Sequence, residues 1–195
     1  EQENPNGLAF NTDGTKMFVV YNGDYVNEYA CSTGFDVSTC SYSGDGEQKN
    51  VSDDGINNPR SLTFNSDGTK MFVTDQITGN KGSLSEYACG AFDVSTCIFT
   101  DALDVTSQVE KPRALAFNTD GTKMFVLGHV NKNVSEYTLS VGFDLNVSAE
   151  ESTTKKSSSD CYDCKPPVLQ SSRITISTND YVVATGDSPL HITAN

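Results

Sequence analysis

The chain has 195 residues, with 26 Asp and Glu against 13 Lys and Arg, a net charge of −13 and a pI near 4.3. So acidic a surface repels phosphate backbones and excludes nucleic acid as a partner, and no apolar run approaches the ~20 residues of a membrane-spanning helix. A hydrophobic fraction of 36% and a mean hydropathy of −0.40 fit a folded chain with a large polar surface. Residue 1 is Glu and no charged-then-apolar segment opens the chain, so any export signal is expected to have been removed or to lie upstream.

Three copies of one pattern follow. Phe10-Asn11-Thr12-Asp13-Gly14-Thr15-Lys16-Met17-Phe18-Val19 returns from Phe64 to Val73 and from Phe117 to Val126, at offsets of 54 and 53 residues (10 to 64, 64 to 117). Behind each copy stands a Glu-Tyr block, at Glu28-Tyr29, Glu86-Tyr87 and Glu136-Tyr137, and then Phe35-Asp36-Val37, Phe92-Asp93-Val94 and Phe143-Asp144-Leu145. Each copy reads as strands. An Asp-Gly turn supplies the positive-φ residue of a tight hairpin, and Met124 and Val126 alternate with Phe125 across a pleat. Four antiparallel strands per ~50 residues, repeated head to tail, are the pattern of a β-propeller blade. The expected fold is all-β: three four-stranded antiparallel blades at about 4–57, 58–110 and 111–151.

Over residues 4 to about 149 the repeat resembles the Tyr-Val-Thr-Asn-type and related propeller repeats of secreted and surface-layer proteins of archaea and marine microbes. That resemblance implies a repeat fold and says little about activity, since one blade type hosts structural, binding and enzymatic proteins. Propellers close with 4 to 8 blades. The three copies are therefore expected to be the C-terminal part of a larger propeller, half of a two-chain ring, or an open stack completed by neighbouring subunits.

The third copy carries polar Asn146-Val147-Ser148-Ala149-Glu150-Glu151-Ser152 where the second has an apolar outer strand, and residues 152–167 read as a Ser/Thr/Lys linker ending in Cys161-Tyr162-Asp163-Cys164-Lys165-Pro166-Pro167. Short strands over 168–195 are expected to form a β-sandwich-like, partial immunoglobulin-type or strand-donating element.

Cys31/Cys40 and Cys89/Cys97 flank the Phe-Asp-Val turn in copies one and two, and the third copy replaces both cysteines, with Leu139 and Ser148. Joint loss fits bonded pairs, which imply an oxidising compartment. For Cys161 and Cys164 a small structural disulfide is expected: a redox motif wants a helix N-terminus, and a zinc site a second Cys or His pair. Asn50, Asn133 and Asn146 open N-glycosylation sequons.

Catalytic patterns are sparse. The only histidines, His129 and His191, fall in different segments, and no nucleophile motif accompanies them. Turn geometry accounts for Asp13, Asp67 and Asp120. Asp45, Glu47, Asp53 and Asp54 form a denser acidic loop, the one candidate for calcium; no other cofactor is expected. Recurrence gives Glu28, Glu86 and Glu136 a shared blade contact. Propeller geometry gathers Asn6, Arg60 and Arg113 with Asp24, Asp75 and His129 on one channel face, where the guanidinium groups suit carboxylates or acidic sugars, or else pair with the chain's own carboxylates.

The expected function is an extracellular cell-surface structural and interaction protein without enzymatic activity, its partners other surface proteins, glycans or copies of itself. A glycan- or peptide-binding propeller is the alternative, and a filament subunit completed by inter-subunit strand pairing the second alternative.

Overall fold

A computed structural model describes residues 4–23, 25–145 and 150–157. Contacts divide the chain into a unit over 1–161 and another over 162–195, and every described residue lies in the first. The expected strand segment over 168–195, Cys161 and Cys164 lie outside the described residues.

Three antiparallel sheets follow one another. The first holds β1 (Pro5–Phe10), β2 (Lys16–Tyr21) and β3 (Tyr25–Cys31), with an outer edge split into β4 (Cys40–Tyr42) and β5 (Gln48–Asn50), both paired to β3. The second is β6 (Pro59–Phe64), β7 (Lys70–Ile77), β8 (Lys81–Gly90) and β9 (Asp93–Asp104); the third is β10 (Pro112–Phe117), β11 (Lys123–Gly128), β12 (Asn133–Thr138) and β13 (Glu150–Ser157). Register repeats as well: Phe10 faces Met17, Phe64 faces Met71 and Phe117 faces Met124, and each first strand carries a bulge just after its proline. The innermost strands β1, β6 and β10 lie side by side in order, as in consecutive propeller blades.

Two differences from the sequence reading concern outer edges. The first blade has five strands rather than four, because residues 43–47 interrupt its outer strand. The third blade is completed by β13, which starts in the expected third copy and runs into the stretch read as a linker from residue 152. An outermost strand needs a backbone partner on one side only, so polar, Thr-containing sequence can fill it.

The repeated blocks act as one device. In each hairpin the Asp carboxylate (Asp13, Asp67, Asp120) accepts the N–H and hydroxyl of the Thr two residues on, which holds its pKa below the usual carboxylate range. Gly14, Gly68 and Gly121 sit at φ near +73, and a Cβ there would run into the ring of Phe35, Phe92 or Phe143. Each of those phenylalanines donates its N–H to the glycine's carbonyl at 3.0–3.1 Å. Glycine is thus required twice over, by conformation and by contact.

The two cores lie between blades. One joins Phe18, Val20 and Val26 to Leu62, Met71 and Val73; the other joins Phe72 and Leu84 to Leu115, Met124 and Val126. The middle blade is therefore buried on both faces, and β7 runs apolar at Met71, Phe72 and Val73 without alternation. Leu62 and Leu115 are 5% and 8% exposed, whereas Leu8, the same position in blade one, is 61% exposed. At the opposite end Leu127 and Val134 are exposed where Val20 and Val26 are buried.

A lysine-to-glutamate latch spans each junction. Lys16 Nζ reaches Glu28 Oε1 at 2.8 Å and the carbonyl of Phe92, in the next blade, at 3.0 Å; Lys70 Nζ reaches Glu86 Oε1 and the carbonyl of Phe143, both at 2.7 Å. The third copy, Lys123 with Glu136 at 2.5 Å, is more exposed than either. This is the shared blade contact expected of the three glutamates. Disulfides Cys31–Cys40 and Cys89–Cys97 close the turns that carry Phe35 and Phe92, with Cα atoms 3.9 and 4.1 Å apart.

Candidate functional site

Each innermost strand opens on a proline followed by a polar side chain, which places Asn6, Arg60 and Arg113 at equivalent points of adjacent strands. Asn6 Nδ2 donates to the carbonyl of Pro59 at 2.8 Å, and Arg60 Nη1 donates to Asn6 Oδ1 at 3.4 Å. Burial lowers the Arg60 pKa, the nearby Arg113 guanidinium adds to that, and Asp75 opposes it. All ion pairs of the described residues use lysine, and among them neither guanidinium group is in a salt bridge.

Asp75 lies opposite Pro59 near the end of β7. It is 2% exposed and accepts the N–H of Asn58 at 2.8 Å. Burial pushes its carboxyl up, against the lowering pull of the Asn58 and Asn57 N–H groups and the Arg60 charge. Arg60 and Asp75 line a cleft of about 510 Å³ with Asn22, Asn57, Asn58 and Gln76. Three buried atoms of this wall, Asn58 Oδ1, Arg60 Nε and Gln76 Oε1, have no protein hydrogen-bond partner, and neither has Arg113 Nε. Such atoms are costly unless water or a ligand meets them.

Of the expected channel-face residues, the fold brings Arg60 and Asp75 into one cleft, with Arg113 beside them. His129 is exposed and sits outside that wall; its N–H bonds to the carbonyl of Lys111, as the Gln76 N–H does to that of Asn58, so it holds the third blade's version of the Gln76 position. Asp24 lies outside the described residues. Sequence reasoning missed Asn22, Asn57, Asn58 and Gln76. A signal for the place existed: Tyr21, Asp75 and Gly128 share one register position, and only the second copy puts a carboxylate there.

The acidic loop does not form a single cation cradle. Asp45 accepts the Tyr42 hydroxyl at 3.0 Å, Asp54 pairs with Lys49 at 2.9 Å, and Asp53 is exposed on a 3₁₀ turn. Glu47 turns elsewhere, with one oxygen within 4.8 Å of a carboxylate oxygen from each of Glu28 and Asp93. The glycosylation expectation also needs correction at Asn133. That residue is 5% exposed, and its amide nitrogen donates to the Gln108 carbonyl and the Ser135 hydroxyl, so a glycan there would displace buried bonds. Asn50 is half-buried and accepts from the Ser52 N–H and hydroxyl; Asn146 lies outside the described residues.

A second depression, about 480 Å³, is lined by Pro5, Gly7, Leu8, Met17, Val19 and Tyr29. Positions equivalent to Leu8, Met17 and Val19 pack on the preceding blade in blades two and three, so this is blade-packing surface rather than a ligand cavity.

No family model matches the sequence, and no curated protein does. Solved structures resemble the fold. A candidate 6-phosphogluconolactonase from Bacteroides fragilis superimposes with a TM-score of 0.56 at 11% identity, over 78% of this chain and 39% of that one. A second candidate 6-phosphogluconolactonase, from Bacteroides uniformis, gives 0.51 at 14%, over 75% and 39%. The periplasmic gluconolactonase of Pseudomonas aeruginosa gives 0.50 at 16%, over 69% and 35%. This chain thus spans about two fifths of the length of these structures or less. At such identities the likeness is one of fold. It nevertheless overturns the expectation of a chain without enzymatic activity: proteins named as lactonases are built on this sheet arrangement, and the fold gives no ground for excluding catalysis. The described residues form an all-β array of propeller-like blades.

Proposed function

We propose that this chain is an extracellular interaction module whose ligand face is the cleft of Arg60 and Asp75. The observation that carries the reading is the polar lining of that cleft, where an amide oxygen each from Asn58 and Gln76 and Nε of Arg60 are buried without a partner, with Arg113 on the adjacent strand. Amides and guanidinium groups together suit a ligand rich in hydroxyls with a carboxylate among them, such as an acidic sugar. An oxidising setting is supported by the two disulfides, and a cell-surface one by the resemblance of the repeat to surface-layer propeller repeats. The test is a glycan array probed with the intact chain. Uronate-containing glycans are retained, and binding is lost in Arg60→Gln and Arg113→Gln; binding indifferent to both substitutions refutes the reading.

A second reading makes the same cleft a site of sugar-lactone hydrolysis. Asp75, whose carboxyl burial pushes up, would take a proton from the water that attacks the lactone carbonyl and return it to the ring oxygen as the acyl C–O bond breaks, giving the open-chain hydroxy acid. The lactonases among the fold neighbours support it at the level of fold alone. Hydrolysis of gluconolactone above the uncatalysed rate, abolished in Asp75→Asn, is the expected result; equal rates with and without protein dismiss it.

A further inference from the structure

Among the described residues, the junction of blades one and two is where three carboxylates converge within reach of one another. At the second junction Glu86 is fully engaged: Oε1 takes Lys70 at 2.7 Å and Oε2 accepts the Leu145 N–H at 2.8 Å. At the first junction Glu28 Oε1 takes Lys16 in the same way, but Glu28 Oε2 is buried with no hydrogen-bond partner, on a residue 4% exposed. Around Glu28 stand two further carboxylates, Glu47 from blade one and Asp93 from blade two, one oxygen of each of the three lying within 4.8 Å of the others.

The backbone explains how they come together here. Residues 43–47 interrupt the outer strand, and the Glu28 N–H bonds to the Glu47 carbonyl at 3.1 Å while the Ser43 N–H bonds to the Glu28 carbonyl at 3.1 Å. The bulge thereby sets Glu47 against Glu28. Blade two has only a bulge at this place: β9 continues as one strand through a register shift between Glu86 and Tyr87, with Asp101 opposite Glu86. Asp93 commits Oδ1 to the N–H and hydroxyl of Ser95, which leaves Oδ2 for another partner.

We infer that Glu28, Glu47 and Asp93 form a calcium site that staples blade one to blade two. Three carboxylates and the Lys16 ammonium leave a charge of −2, which one divalent cation balances. All donors are oxygen, the chemistry of hard cations rather than of zinc. Oxygens within 4.8 Å of one another can share one cation, and three carboxylates drawn from separate segments suit the flexible, oxygen-rich shell of calcium better than the strict octahedron of magnesium, which keeps most of its waters. With three protein carboxylates and water completing the shell, affinity belongs to the weak extracellular class, Kd about 0.1–1 mM.

The experiment follows thermal unfolding of the intact, metal-stripped chain at fixed ionic strength while calcium or magnesium chloride is added, with calorimetric titration for stoichiometry. Calcium at tenfold its Kd raises Tm by about 3–6 °C, one ion binds, and magnesium gives a much smaller rise. Glu47→Gln and Asp93→Asn each weaken calcium binding tenfold or more, while Asp53→Asn, in the exposed acidic turn, leaves it unchanged. No calcium response, an equal response to magnesium, or a response that survives both Glu47→Gln and Asp93→Asn overturns the site.

Discussion

The first and second blade junctions carry the same ion pair, the same phenylalanine carbonyl and the same Leu-Met-Val face, yet they differ in what meets the glutamate's second oxygen. At the second junction a backbone N–H from Leu145 does so; at the first, Glu28 Oε2 is buried without a hydrogen-bond partner, and the Glu28 carboxylate lies beside those of Glu47 and Asp93. Repetition therefore dictates the apolar packing and the lysine latch, while a five-residue interruption of one outer strand is enough to give one junction a different electrostatic character. The uncovered faces extend the contrast: residues that make the cores at Leu62 and Leu115 are solvated at Leu8.

The largest expected effect separates covered from uncovered faces. Leu62→Ala and Leu115→Ala each cost about 2–5 kcal/mol in urea unfolding, whereas Leu8→Ala costs no more than about 0.5; a comparable cost at Leu8 would mean that its face is packed in solution. Next come the disulfides. Replacing Cys31 and Cys40 by serine removes a constraint worth about 2–3 kcal/mol, and the Cys89–Cys97 pair, with a loop of similar length, gives a matching loss. A large inequality would show that one turn is held by something besides its bridge.

The latches rank lower. Lys70→Ala leaves the buried Glu86 carboxylate without its cation and lowers stability by about 1–3 kcal/mol, while Lys123→Ala, at the exposed third copy, falls below about 1 kcal/mol. Equal losses would put Glu136 in a buried setting. The smallest effect is a pH dependence at Asp75. Its folded pKa is raised above the ordinary 3.8 by burial, so between those values the folded state holds more protons than the unfolded one, and stability falls as pH rises through that window. Asp75→Asn removes this slope, so the wild type loses stability relative to the variant as pH increases from about 4; a difference profile of opposite sign would place the carboxylate in a charge-stabilising environment.

Much of the fold was legible because its determinants are local and repeated. The Asp-Gly-Thr hairpins need a positive φ at Gly14, Gly68 and Gly121, the cysteines sit at the two ends of one turn, and Lys and Glu fall three times at the same register. What escaped was decided by partners far along the chain. Nothing in residues 43–47 announces that Glu47 will meet Asp93 of the next blade, and the greater part of β13, from residue 152 on, read as a linker because an outer strand draws on backbone pairing that composition does not reveal. The cleft was half legible: Arg60 and Asp75 follow from blade geometry, whereas Asn57, Asn58 and Gln76 join them through loop contacts that no spacing encodes. Asn133 looked like a glycan acceptor because a sequon carries no information on burial.

The central claim, that the Arg60 and Asp75 cleft is a ligand face, is tested most directly by calorimetric titration of the intact chain with a uronate oligosaccharide at low and high salt, alongside Arg60→Gln. The account predicts saturable binding that weakens with salt and is lost in the variant. Heats that never saturate, or binding of equal strength in the variant and the wild type, would contradict it.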